Sequence, residues 1–283
     1  MGKSHVNGIV ILDAIPDGEY NTARRLKENL DDISLYIADG LQIRYYYLNT
    51  IDDLKAGMAE VLDEINNSNL MPWLHLEGHG LSDENGFQLA SGEICTWSQL
   101  KEIIIPLNIG MGLNLLLILA TCFGGSFARA IMTVDRAPVL GLIGPKYEIK
   151  VGKVEKDFQS FYRILFESSS LKKALEVLNA TEPQNLYFRA TAEQFFYEVW
   201  KGYKNKCCTE QEINNRVKRM YRKAKSQQLP RTPSIGQLKR LLHSQEVPLF
   251  EKYRDTYFMY DIYESNRERF PVSYREAEKY SKR

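Results

Sequence analysis

The chain lacks most of the features that would assign its class at a glance. No apolar run approaches the roughly 18 residues that a membrane span requires. Met1-Gly2-Lys3-Ser4-His5-Val6 has no apolar h-region behind it, so no secretion signal is expected. There are only four cysteines, Cys95, Cys122, Cys207 and Cys208, with neither a disulfide framework nor paired metal-ligand spacing. Cys207 and Cys208 are adjacent, which disfavours a bridge between them. A reducing, cytoplasmic setting is therefore expected. No internal repeat and no low-complexity segment interrupts the 283 residues. The 44% hydrophobic and 26% charged residues are an ordinary globular mixture. That length suits one sizeable α/β domain with an appendage, or two modest domains.

Charge of one sign is scarce overall, with a net +1, but it is unevenly placed. Residues 201–283 hold 20 basic and 10 acidic side chains, so the first 200 residues carry −9. Most of the excess lies in 201–240, where 12 basic residues face only Glu210 and Glu212. This shift in composition predicts two domains, 1–200 and 201–283.

Within 1–200, apolar strand-like runs alternate with helical periodicity. Strands are predicted at 8–12, 42–48, 73–76, 114–120 and 138–143, with a sixth at 185–189. Helices are expected at about 18–31, over the run Leu54, Met58, Val61, Leu62 and Ile65, and from Thr96 to about Leu107. Thr96 with Gln99 forms a capping-box start for the last of these. Gly124-Gly125-Ser126 should open another helix, and two more follow at about 155–167 and 171–179. Short pieces around 87–89 and 93–94 read as a small hairpin off the sheet edge. The pattern predicts an α/β fold: a mostly parallel sheet of about six strands with helices on both faces. From about Ala192 the periodicity is helical, giving a helical C-terminal extension. Ile213, Val217, Met220 and Tyr221 form one stripe and Phe250, Tyr253, Tyr257 and Tyr260 another. Residues 227–234, with Pro230 and Pro233, read as a connector.

Two residues carry the chemistry. His79 lies in Trp73-Leu74-His75-Leu76-Glu77-Gly78-His79-Gly80, and Cys122 in Leu119-Ala120-Thr121-Cys122-Phe123-Gly124-Gly125. Each sits where a buried strand gives way to small residues, on the rim where α/β proteins build their sites. A thiol and an imidazole brought to one rim are the parts of a cysteine nucleophile and its base. A helix N-terminus after Cys122 would favour the thiolate. Taken singly, each residue is more often structural; together, both flanked by glycine, they favour catalysis.

These residues resemble the caspase-like cysteine peptidases, a group that includes caspases, metacaspases, separase-type and CHAT-domain proteases. The resemblance covers about 7–190 and implies a caspase-like fold. It implies catalysis by Cys122 and His79, with the N–H groups of Gly80 and Cys122 as the oxyanion hole. Ala120-Thr121-Cys122-Phe123-Gly124 departs from the caspase pattern Gln-Ala-Cys followed by Arg, Gln or Gly and then Gly. Metacaspases place an aspartate where this chain has Ala120. The apolar lead-in resembles bacterial CHAT-type members more closely, so cleavage after aspartate is not carried over. The resemblance further implies limited proteolysis of a protein substrate, often after a partner or processing event orders the loops. In bacterial defence systems the target is commonly a neighbouring effector such as a gasdermin-like pore former.

Asp13, Asp17 and Glu19 follow the first strand, where this family often draws a pocket residue, and an acid there would select lysine or arginine. Asp17 could instead cap the following helix. Asp83 and Glu84 could line the cleft or stand as solvated loop charges. No third residue orienting His79 is evident, and Glu77 is expected on the opposite face of its strand. His75 and His79 are spaced as zinc ligands are on a helix, but they lie in a strand context and lack the neighbouring glutamate. Neither metal nor cofactor is expected. The basic segment with Arg216, Lys218, Arg219, Arg222, Lys223 and Lys225 reads as the solvated face of an amphipathic helix, with an acidic protein or nucleic acid as the rival partner. Two rival functions stand beside the protease: a catalytically silent module docking a partner through the basic extension, and a receiver-like or nucleotide-binding domain.

Overall fold

A computed structural model describes residues 6–133, 135–180, 185–227 and 233–282. The elements run, in order, β1 (Gly8–Asp13), α1 (Thr22–Tyr36), β2 (Gln42–Tyr47), α2 (Ile51–Ser68), β3 (Pro72–Glu77), β4 (His79–Gly80), β5 (Gly86–Gln88), β6 (Ile94–Thr96) and α3 (Trp97–Gly110). There follow β7 (Leu116–Ala120), a 3₁₀ turn (Gly124–Phe127), α4 (Ala128–Ile131), β8 (Gly141–Pro145), α5 (Val151–Ser168), α6 (Leu171–Asn179) and β9 (Tyr187–Thr191). The remainder is helical: α7 (Ala192–Cys207), α8 (Glu210–Ser226), α9 (Ile235–Ser244), α10 (Glu246–Tyr257), α11 (Asn266–Arg269) and α12 (Tyr274–Ser281).

The chain divides into two compact units, one of residues 1–131 and 137–192, the other of 132–136 and 193–283. The compositional division at residue 200 falls inside α7.

The first unit is built on a six-stranded sheet of order β2-β1-β3-β7-β8-β9. The first five strands are mutually parallel, and β9 closes the edge antiparallel to β8. Every residue of β1, β3, β7 and β8 is buried, which explains why these strands read as unbroken apolar runs rather than alternating ones. One face (Ile9, Ile11, Ile118 and Ala120) packs on Leu26 and Leu30 of α1 and on Phe158, Phe161 and Tyr162 of α5. Crossovers that step outward to β2 and then back to β3 put α1 and α2 on opposite faces, because both are right-handed. The chain therefore reverses direction between β1 and β3, and open α/β sheets bind their ligands in the crevice at such a reversal.

Some predicted boundaries move. The first helix starts at Thr22, not 18, because the Asn21 side chain accepts from the Arg24 N–H. Asp17 is therefore no cap; it lies in an exposed turn with Gly18 at φ +87°. The fifth strand starts at Gly141, with Pro138 to Leu140 ahead of it. The helix expected after Gly124 is only a 3₁₀ turn and the four residues of α4. The capping box at Thr96 is present, and the small hairpin forms as β5 and β6, extended by β4. The expected connector at 227–234 lies largely outside the described residues, as does Pro230, and so do the first five residues.

In the second unit, Phe196 and Trp200 of α7 pack against Phe250 of α10, at centroid distances of 5.6 and 5.0 Å. Tyr257 lies 5.3 Å from Phe196, so the aromatic stripe of α10 serves this unit's own core. On α8, Val217 and Ala224 are buried, while Lys218, Arg219, Arg222, Lys223 and Lys225 stand exposed on the other side.

Candidate active site

Strand register brings the pair together. Asp13 pairs with Glu77 and Glu77 with Ala120, so these three residues form one row at the carboxyl ends of β1, β3 and β7. His79 and Cys122 each lie two residues beyond that row, on neighbouring strands. Gly80 closes the gap: a Cβ on it would stand 1.8 Å from the Cys122 carbonyl oxygen, so the two backbones pack with no side chain between them. Only glycine permits this approach.

Hydrogen-bond parity directs the Gly80 N–H. The Leu81 N–H donates to the Gly86 carbonyl at 3.0 Å, and Gly80 faces Phe87 one pair further along. Antiparallel pairs alternate between bonded and non-bonded, so Gly80 is a non-bonded position and its N–H points away from β5. The Cys122 N–H likewise takes no backbone acceptor among the described residues. Among the described residues neither N–H has an assigned acceptor.

Cys122 is half-buried on a tight turn, with Phe123 held left-handed at φ 57°. Non-glycine residues in that region cost about 1–3 kcal/mol and collect at functional sites. The Ile149 N–H donates to Sγ at 3.5 Å, and the thiol lies 3.9 Å from the Ile149 carbonyl. Because the following helix is so short, the macrodipole expected there contributes little; local N–H groups supply the field at the sulfur. Cys122 and Ile149 border two cavities. The smaller, about 70 Å³, is walled by Ile15, Ala120, Val151 and Val154, with Thr22, Glu19 and His79 around it. The larger, about 360 Å³, is lined by Gly80, Ser82, Phe123, Glu148 and Lys150.

His79 is half-exposed, and its Nε2 lies 2.8 Å from the carboxylate of Glu19. In this state the ring's hydrogen bond goes to Glu19 and the thiol's to Ile149, not to each other. Catalytic contacts commonly tighten only when substrate is bound. Local patterning could not reveal Glu19, since a link between residues 60 apart depends on the β1–β3 pairing.

The remaining candidates divide. Asp13 is fully buried and does not border the cavities. Its carboxylate accepts from the Ile15 N–H at 2.9 Å, from Asn21 Nδ2 at 2.6 Å and from the Tyr45 hydroxyl. Burial and that bond push Tyr45 up to about 12. Asp17 is exposed, and Asp83 accepts from the Asn85 N–H at 3.0 Å within its own turn. Glu84 instead ties the histidine hairpin to the segment after the cysteine, accepting from Ser126 Oγ at 3.0 Å and from Arg129. Glu77 bonds elsewhere than to His79. It is buried, accepts from Thr22 and from His75 Nε2 at 3.1 Å, and His75 Nδ1 in turn accepts from the Tyr162 hydroxyl at 3.0 Å. Burial first, then the Glu77 charge, holds Tyr162 well above the usual tyrosine range. His75 is thus committed to the core. Among the described residues no three His, Cys, Asp or Glu side chains are grouped to hold a metal ion, and no helix is long and apolar enough to cross a membrane.

No family model and no curated protein matches the chain. Among solved structures it is similar to the Drosophila initiator caspase Dronc, at 12% identity over 68% of this chain and 82% of that one, with a TM-score of 0.48. The residue roles that follow rest on the geometry of the site.

Proposed function

We propose that the chain is a caspase-like cysteine endopeptidase, nearer the CHAT and metacaspase branch than true caspases, that cuts a protein substrate at few sites. The observation that carries this reading is the packing of Gly80 on the Cys122 carbonyl, with His79 adjoining and bordering the same small cavity as Cys122. In the proposed cycle the Cys122 sulfur attacks the peptide carbonyl carbon, and the Gly80 and Cys122 N–H groups hold the oxyanion. His79 takes the thiol proton and passes it to the leaving amine. It then takes one from the water that hydrolyses the thioester, which frees the acid and restores the thiol.

The smaller cavity fits the side chain before the scissile bond. Its apolar walls border no lysine or arginine, so nothing there would pair an aspartate. With Asp13 committed to its own hydrogen bonds, selection of lysine or arginine by that residue is dropped. Resemblance to bacterial defence proteases suggests a neighbouring effector, such as a gasdermin-like pore former, as the substrate in the cytoplasm. A protein partner that engages the 146–150 segment beside the thiol would serve as activator.

A thiol-directed activity probe tests the reading. Labelling of wild type that is lost in Cys122→Ala and reduced in His79→Ala is expected. Labelling that persists in Cys122→Ala, or wild type that neither labels nor cleaves, would leave the silent docking module as the better account.

A further inference from the structure

Building on the dyad reading above, we infer that Glu19 is a positioning residue that fixes the tautomer and orientation of His79, leaving Nδ1 as the nitrogen that serves Cys122. An ionised carboxylate can only accept, so the proton in the 2.8 Å contact is on Nε2 and the neutral ring keeps its lone pair at Nδ1. Glu19, His79 and Cys122 border the same small cavity from three elements: the β1–α1 loop, the start of β4 and the turn after β7. The ring therefore has its acceptor on one side and the sulfur in the space it shares.

The loop that carries Glu19 is held in place. The Glu19 N–H donates to the Pro16 carbonyl at 3.3 Å. Its neighbour Tyr20 donates to Glu155 of α5 at 2.7 Å, and the Arg25 guanidinium stacks over the Tyr20 ring at 4.9 Å. One residue further, Asn21 is bonded to Asp13 at the end of β1. A carboxylate on so anchored a loop can define a ring orientation, whereas one on a free loop would follow the ring.

Exposure sets the size of the effect. Both side chains are about half-exposed, at 49% and 48%, so water competes for the bond. A buried carboxylate orienting a catalytic histidine contributes about four decades in rate; this solvated one should contribute about one.

The test uses the full chain with iodoacetamide, so that no substrate need be known, and ¹⁵N spectra of the imidazole nitrogens. Glu19→Ala should slow Cys122 alkylation about tenfold, while Glu19→Gln, whose amide oxygen still accepts, should stay within about threefold of wild type. In wild type the neutral His79 should show a protonated Nε2 and a bare Nδ1, and Glu19→Ala should show both tautomers. Once a cleaved peptide is in hand, the loss should appear in kcat, and the tautomer spectrum, which a change of cavity lining alone would not move, separates ring orientation from substrate binding. Alkylation of Glu19→Ala at the wild-type rate, or an unchanged tautomer, overturns the inference. A His79→Ala variant that alkylates as fast as wild type instead marks failure of the dyad itself, so the two failures are separable.

Discussion

Gly80→Ala is the perturbation whose size follows most directly from the structure. The added Cβ would meet the Cys122 carbonyl oxygen at 1.8 Å, its carbonyl carbon at 2.7 Å and its Cα at 3.1 Å. The first distance is roughly 1.6 Å short of the 3.4 Å at which ordinary contact begins. All three atoms are backbone, held by a turn with a left-handed residue, so no side chain can swing aside. The β4 strand, with His79 and the Gly80 N–H, must retreat by more than an ångström. Misplacement on that scale costs about a hundredfold in rate, or roughly 2.7 kcal/mol of transition-state stabilisation. The assay is kcat/KM on a cleaved peptide, with a thermal melt to show that the six-stranded core persists. Gly202, inside α7 with nothing within 4 Å of where a methyl group would stand, is the control: Gly202→Ala should leave activity intact and add about 0.5–1 kcal/mol of stability. A Gly80→Ala enzyme within about threefold of wild type would refute the argument that this close approach builds the site.

Other outcomes follow from the same structure. A peptide library should show no preference for cuts after aspartate; such a preference would require a cation that the small cavity does not border. Trp200→Ala should destabilise the helical unit by about 3–5 kcal/mol, because the indole is buried against Phe250; a loss below about 1 kcal/mol in chemical denaturation would contradict that packing. Arg44 forms a forked contact with Glu64, at 2.6–3.0 Å, and this hydrogen bonding holds the carboxyl below its ordinary range. The stabilisation is complete above the ordinary value of 4.5 and fades as pH falls through the lowered one. Glu64→Gln should therefore cost about 1 kcal/mol at neutral pH and little in acid, and a gap that widens on acidification would reverse the assigned sign.

The parallel strands and the strand-end positions of His79 and Cys122 were legible because both are written in local pattern. Unbroken apolar runs marked β1, β3 and β7 as buried, and glycine beside His79 and after Cys122 marked the strand ends. Three things were not legible, each because it depends on pairing over distance. Asp13 looked like a pocket acid but is consumed by Asn21 and Tyr45, and the latter comes from the neighbouring strand. Glu19 looked interchangeable with Asp17 until the β1–β3 register set it against His79. Gly124-Gly125 suggested a full helix, whereas a 3₁₀ turn forms there, with Gly125 packed closely on Phe188 of β9.

The central claim is that the Cys122 sulfur and the His79 ring act together on a peptide bond. The direct measurement is mass-spectrometric mapping of a peptide library after incubation with wild type, Cys122→Ala and His79→Ala, each confirmed as folded. The account predicts a short set of cleaved peptides with wild type, none with Cys122→Ala, and at most trace cutting with His79→Ala. The same peptides cut equally by all three proteins would contradict it.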